Sequence, residues 1–97
     1  MKPEERQRID IWLVRARFAK TRAAAARFVS EGGVRLVHNG QSRRLEKASV
    51  DVAPGDALVF RQRDQLRAVR IEKLPSRRGP AAEAREAYSE LDAEALA

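Results

Sequence analysis

Residues 8–40 read RIDIWLVRARFAKTRAAAARFVSEGGVRLVHNG, and this stretch decides the fold because its apolar spacing changes from helical to extended within it. Ile9, Trp12, Leu13 and Ala16 recur at i, i+3, i+4 and i+7, which predicts an amphipathic helix. Asp10 falls in its first turn, where a carboxylate suits the positive end of the helix dipole. Trp12 lies inside the stripe, so it is expected in the core rather than stacked on a ligand. Thr21 is a candidate N-cap for a second helix over residues 22–30, with Ala25, Phe28 and Val29 as its buried stripe. Glu31-Gly32-Gly33 stops it. Residues 34–38 then read as a strand. Asn39-Gly40 is the pair preferred by a two-residue type I′ turn, because both positions need positive φ, so residues 41–44 return as the second strand.

Working outward, residues 46–52 read as a short extended segment and Ala53-Pro54-Gly55-Asp56 as a turn. Residues 57–60 (ALVF) and 68–71 (AVRI) read as two further strands. The order ααββββ predicts an α+β domain, two short helices packed on a small antiparallel sheet. Leu74-Pro75 closes the sheet, and residues 76–80 (SRRGP) form a basic linker. Residues 81–91 (AAEAREAYSEL) have helical propensity, with Ala84, Tyr88 and Leu91 as a thin stripe. The expected division is 8–73 as the domain and 74–97 as linker plus acidic helical tail, with 81–97 dispensable for folding.

The 97 residues supply one modest core and contain no cysteine, which removes disulfides and thiolate metal sites. The start, MKPEERQR, lacks the apolar core of a signal peptide, and no apolar run approaches the roughly 20 residues of a membrane span. A soluble, cytoplasmic chain is expected. The net charge of +6 divides into +10 over residues 1–80 and −4 over residues 81–97. Sixteen of the twenty basic residues are arginine, whose planar fork suits phosphate. Charge therefore favours nucleic acid over a merely solvated surface. Arg8 and Arg15 share a face turned away from the apolar stripe, and with Arg17, Lys20, Arg22 and Arg27 they form a basic rim on the helix pair. Arg43 and Arg44 add charge on the hairpin.

Catalytic chemistry has little support. GGV before a strand lacks both the GK[ST] and the following helix of a phosphate loop. His38 is the lone histidine, so a turn-flanking surface residue is expected, with no metal and no cofactor.

The run RIDIWL, then KTRAAAARFVSEGGVRL, NG and VAPGD, resembles the S4 RNA-binding domain, whose pattern is RLDxxL, SR-xx-A, G-x-V-x-V-N-G and VxxGD. The landmarks fall in order over residues 8–60. The tail RRGPAAEAREAY is similar to that of small stand-alone S4 proteins of the ribosome-associated heat-shock type. The resemblance implies the αL-like S4 fold, clamping of structured RNA by helix pair and hairpin, and no catalytic domain. The narrower resemblance implies ribosomal RNA and tRNA as partners, on a large subunit that retains peptidyl-tRNA and a nascent chain. Carried over by residue, Arg8 matches the arginine opening RLD and Arg22 that of the SR/TR pair. Lys20, Arg17 and Arg27 lie on the same matching segment.

Three departures stand out. Ile11 replaces a frequent lysine, Ala23 replaces a serine or threonine, and the strand before Asn39-Gly40 is one residue longer. S4 domains also occur appended to pseudouridine synthases and tyrosyl-tRNA synthetases, for whose catalytic domains 97 residues leave no room. Ribosome assembly, and a protein-interaction module recruited through the acidic tail, are the other readings. A monomer is expected.

Overall fold

The computed structural model describes residues 5–96. Helix α1 (Ile9–Arg15) buries Ile9, Trp12 and Leu13 completely, and Ala16 follows at its C-cap. The i, i+3, i+4, i+7 stripe is therefore the face that meets the core. Helix α2 (Arg22–Glu31) opens on Thr21, whose hydroxyl accepts from the Ala24 N–H at 3.0 Å. That bond satisfies one of the donors a helix start leaves open. At the other end the Gly32 N–H donates to the Phe28 carbonyl at 2.8 Å. A Cβ on Gly32 would stand 2.3 Å from that same oxygen, so the stop requires glycine.

Strands β1 (Gln7–Arg8) and β4 (Asp51–Val52) form a separate two-stranded ladder. The remainder build one antiparallel sheet in the order β3-β2-β5-β6-β7: β2 (Arg35–His38), β3 (Gln41–Arg44), β5 (Ala57–Gln62), β6 (Gln65–Ile71) and β7 (Tyr88–Leu91). Asn39 and Gly40 take φ of 50° and 77°, as the type I′ turn demands, and His38 pairs with Gln41 across it. The longer strand thus closes in regular register. Of residues 46–52, Asp51–Val52 alone are strand.

Register places Leu36, Leu58 and Val69 in one cross-strand row, and all three are buried. Together with Phe60 and Ile71 they face the helices, forming one core with Ile9, Trp12, Leu13, Ala25 and Val29. Phe18 links the two layers, stacked on Trp12 at 5.7 Å and edge-on to Phe60 at 5.6 Å between ring centroids. No helix among the described residues is long and apolar enough to cross a membrane.

The chain beyond residue 80 corrects the expected helical tail. Helix α3 (Ala81–Ala84) is a single turn, residues 85–87 form a 3₁₀ turn, and Tyr88–Leu91 pair with β6. A last turn, α4 (Ala93–Leu96), follows. Local helix propensity loses because extension offers two things a helix does not. It pairs the otherwise open β6 backbone, and it sets Tyr88 against Phe18 at 4.7 Å and Trp12 at 6.4 Å. Ala87 is buried, and its carbonyl accepts from Glu72 and Lys73 at 2.8 and 3.2 Å. The expectation that 81–97 is dispensable for folding conflicts with this packing.

Deleting residues 81–97 is therefore expected to lower stability by at least about 2 kcal/mol, the scale of losing a packed tyrosine and an edge strand. Trp12→Ala should cost about 3 to 5 kcal/mol. Urea midpoints followed by circular dichroism check both, and an unchanged midpoint for the truncated chain would contradict the assignment of β7 to the core sheet.

Candidate nucleic-acid interface

The helix pair is joined on its charged side by one buried carboxylate. Asp10, 3% exposed, accepts from Arg8 at 3.1 Å (Nε to Oδ1) and 2.9 Å (Nη2 to Oδ2), and from the Ile11 N–H at 2.8 Å. Arg22, at the start of α2, reaches Oδ2 from its Nη2 at 3.4 Å. Asp10 thus ties the arginine that opens RID to the arginine of the Thr21-Arg22 pair. Burial alone pushes its carboxyl up. The Arg8 hydrogen bond, the Ile11 N–H and the charges of Arg8 and Arg22 together outweigh that and hold it below the ordinary carboxylate value. The hydrogen bond to Asp10 in turn raises the Arg8 pKa, aided by the charges of Asp10 and Asp51 and opposed by desolvation. The Arg8 and Arg22 side chains stay 43% and 58% exposed. A guanidinium has five N–H donors, so each keeps donors for a phosphate while Asp10 fixes its position.

The other candidates on the rim divide. Lys20 and Arg27 are exposed and make no ion pair among the described residues. Arg15 and Arg17 instead hold the segment that leaves the sheet. Arg15 Nη1 donates to the Pro75 carbonyl at 2.9 Å, and Arg17 Nε to the Gly79 carbonyl at 2.7 Å. Arg17 sits at φ 66°, an uncommon conformation for a residue with a Cβ. From the tail, Arg78 Nε returns a bond to the Val14 carbonyl at 3.2 Å, which adds to the basic character of this side. Arg43 and Arg44 separate, because neighbours on a strand point to opposite faces. Arg43 pairs with Leu36 on the helix side and Arg44 with Arg35 on the outer side.

His38 is half exposed, as expected of a turn-flanking residue, but it is not isolated. Its Nδ1 lies 2.5 Å from Oδ1 of buried Asp56, whose other oxygen accepts from the Ala53 N–H at 3.0 Å. The aspartate of VAPGD therefore pins the base of the hairpin. A cavity of about 230 Å³ beside it is lined by Arg6, His38, Arg43, Asp51 and Asp56 among others. Among the described residues no cluster of metal-ligating side chains occurs.

Sequence reasoning missed three elements of this site. Local sequence shows the helix-dipole position of Asp10 but not its two arginine partners. The carbonyls of Pro75 and Gly79 carry no sequence signal at all. Asp56 shows in sequence only as part of a turn, and its bond to His38 spans 18 residues.

Comparison with known proteins agrees with this architecture. The model of the S4 domain matches residues 7–58. Heat shock protein 15 of Escherichia coli strain K12 is 38% identical over 89 residues, covering 92% of this chain and 63% of its own length. The heat shock protein 15 homolog of Haemophilus influenzae is 34% identical over 89 residues, covering 92% and 64%. The chain thus spans less than two thirds of the length of these curated relatives. A trimeric structure of Vibrio cholerae heat shock protein 15 matches with a TM-score of 0.76 and 39% identity, over 90% of this chain and 83% of that one.

Replacing Asp10 with asparagine is expected to cost about 1 to 2 kcal/mol, since it leaves two arginines without their anion. The folded carboxyl titrates below its unfolded value, so its contribution is complete above about pH 4 and is lost as pH falls through the folded pKa. The stability gap between the wild type and Asp10→Asn should accordingly close in acid. Urea midpoints over a falling pH series check this, and a gap that does not narrow as pH falls below about 4 would be inconsistent with it.

Proposed function

Since the chain belongs to the S4 domain family, on the branch that includes heat shock protein 15, we propose that it is a cytoplasmic RNA-binding protein of the ribosome that carries out no chemistry of its own. The observation that carries the proposal is the Arg8–Asp10–Arg22 cluster, which sets two arginines on one side of the helix pair with exposed Lys20 and Arg27 on the same pair. Phosphate contacts of this kind fix register without reading bases. Trp12 is fully buried and does not stack on a base, which favours recognition of RNA shape. We assign the contact to residues 8–73, with 74–97 as a brace behind it.

The finer reading is that the partner is a large ribosomal subunit that retains peptidyl-tRNA, in rescue or quality control of stalled translation. A small domain has too little surface to read a long sequence. Ribosomal RNA beside tRNA presents two phosphate backbones at once, and linked contacts raise affinity. The RRGPAAEA tail and the likeness to heat shock protein 15 support the large subunit. Sucrose-gradient fractions from cells with and without a translation stall test this. Enrichment on large subunits after the stall is expected, and confinement to small subunits or to the soluble top would refute it.

Arg22→Ala should weaken binding to ribosomal RNA by about 1 to 3 kcal/mol and make the log K against log salt slope shallower by about one. Its thermal midpoint should fall far less than that of Trp12→Ala, because the Asp10 contact is long and the side chain is exposed. Filter binding over a salt series, with melting curves alongside, measures both.

A further inference from the structure

Helices α1 and α2 cover one face of the five-stranded sheet, and the other face carries its own pattern. Cross-strand partners share a face, so the register assigns Arg44, Arg35, Val59, Ala68 and Leu91 to one outer row, and Ala57 with Arg70 to the next. Arg61 lies two residues beyond Val59 on the same face. Arg35, Arg44, Arg61 and Arg70 are all exposed, while Ala57, Val59 and Ala68 between them are only 7%, 4% and 1% exposed. These three lie outside the core that joins α1 and α2 to the sheet, and α4 packs against β6 beside Ala68.

The four guanidinium groups are little used by the fold. Arg35 Nε donates to the Ser42 hydroxyl at 3.1 Å. The side chains of Arg44, Arg61 and Arg70 have no hydrogen bond or ion pair among the described residues. Arg67 on the inner face contrasts with them: it pairs with Glu90, donates to Gln62 and lies over the rings of Phe18 and Phe60. On the outer face at its β7 side Glu72 accepts from the Ser89 hydroxyl at 2.6 Å, and Asp92 and Glu94 border Leu66, Ala68 and Leu91 at the start of β6. Arg35 and Arg44 stand directly opposite each other, an arrangement of like charges that weakens a strand pair. Charge on β3 does protect a sheet edge, but Arg61 and Arg70 lie on interior strands, where no edge needs protection.

We propose that the outer sheet face, through Arg35, Arg44, Arg61 and Arg70, binds the phosphate backbone of a second RNA segment while the helix pair holds the first. The proposal rests on the RNA-binding reading above and extends it from one surface to two. Charge complementarity selects a polyanion. The chemistry of the face selects paired RNA: the five aromatic residues, Trp12, Phe18, Phe28, Phe60 and Tyr88, lie on the helix side, in contact with one another. The outer face therefore has no ring on which to stack an unpaired base, nor the aromatic anchors typical of a protein hot spot. Strands are about 4.8 Å apart and alternate residues on a strand about 7 Å apart, so the four arginines make a grid on the scale of successive phosphates along a duplex.

Bridging two RNA duplexes with the full chain tests the proposal. One 24-base-pair RNA duplex carries biotin on beads and a second of the same sequence carries fluorescein. The wild type should retain the fluorescent duplex. Arg61→Gln/Arg70→Gln should bind the bead-bound duplex through the helix pair and lose at least about tenfold in retention of the second, with the salt slope of retention shallower by about 1.8. In the wild type, a second equivalent of duplex should shift the backbone amide resonances of Val59 and Ala68, a readout that needs no variant. Full bridging by Arg61→Gln/Arg70→Gln, or unmoved Val59 and Ala68 resonances, would overturn the second surface and leave the first intact. A wild type that binds no duplex would overturn both. If the double variant instead changes the oligomeric state of RNA-free protein in sedimentation velocity while bridging is kept, the face is a contact between copies and the proposal fails.

Discussion

The indole of Trp12 must be dry and its N–H must still find an acceptor, and most of the structure follows from how both demands are met. The ring is fully buried between Phe18 and Tyr88, while Nε1 donates to the Lys73 carbonyl at 3.0 Å. A buried donor without a partner costs about twice what a satisfied one contributes. The carbonyl that satisfies it lies 61 residues away, on the chain just after β6. The first helix is thereby tied to the exit of the sheet. From there the chain turns back as β7 and delivers Tyr88 to the same aromatic cluster.

A second organising force is the division of the arginines by what they face. Those in and flanking α1 and at the start of α2 lie beside an anion or a carbonyl: Arg8 and Arg22 share Asp10, while Arg15 and Arg17 hold the backbone of 75–79. Such bonds position a guanidinium without neutralising the molecule, whose net charge stays at +6. The same bonds bring Arg78 onto the helix side, so a basic linker that sequence order separates from α1 becomes part of its surface. On the sheet, the two-residue period sends Arg43 and Arg44 to opposite sides. The protein consequently has two basic faces with a core between them.

The acidic end of the chain is also more than a counterweight. Its −4 net charge is carried next to an edge strand. Glu90 pairs with Arg67, and Glu86 and Glu83 contact Lys73 and Arg77. These last two are exposed pairs of small individual worth. Their effect lies in fixing where the negative charge sits relative to the helix surface.

Features that depend on neighbours a few residues apart are legible in the local order of residues. Ile9, Trp12, Leu13 and Ala16 gave the buried face of α1, Thr21 its cap on α2, and Asn39-Gly40 the positive-φ turn of the hairpin. The order of these signals was enough to point to the α+β class and to the S4 resemblance. Features that depend on residues far apart in the chain arise only in the assembled fold. AAEAREAYSEL has helical propensity throughout, yet residues 88–91 are extended because the open backbone of β6 and the rings of Trp12 and Phe18 stabilise a strand more than local propensity stabilises a helix. Asp10 showed its dipole role in sequence, but its hold on Arg22 exists only once two helices pack. The outer arginine face was invisible for the same reason, since Arg35, Arg44, Arg61 and Arg70 become neighbours only when strand register is set. Short-range steric and periodic preferences are written in local sequence, whereas pairing, charge clustering and the satisfaction of buried donors are properties of the assembled sheet and helices.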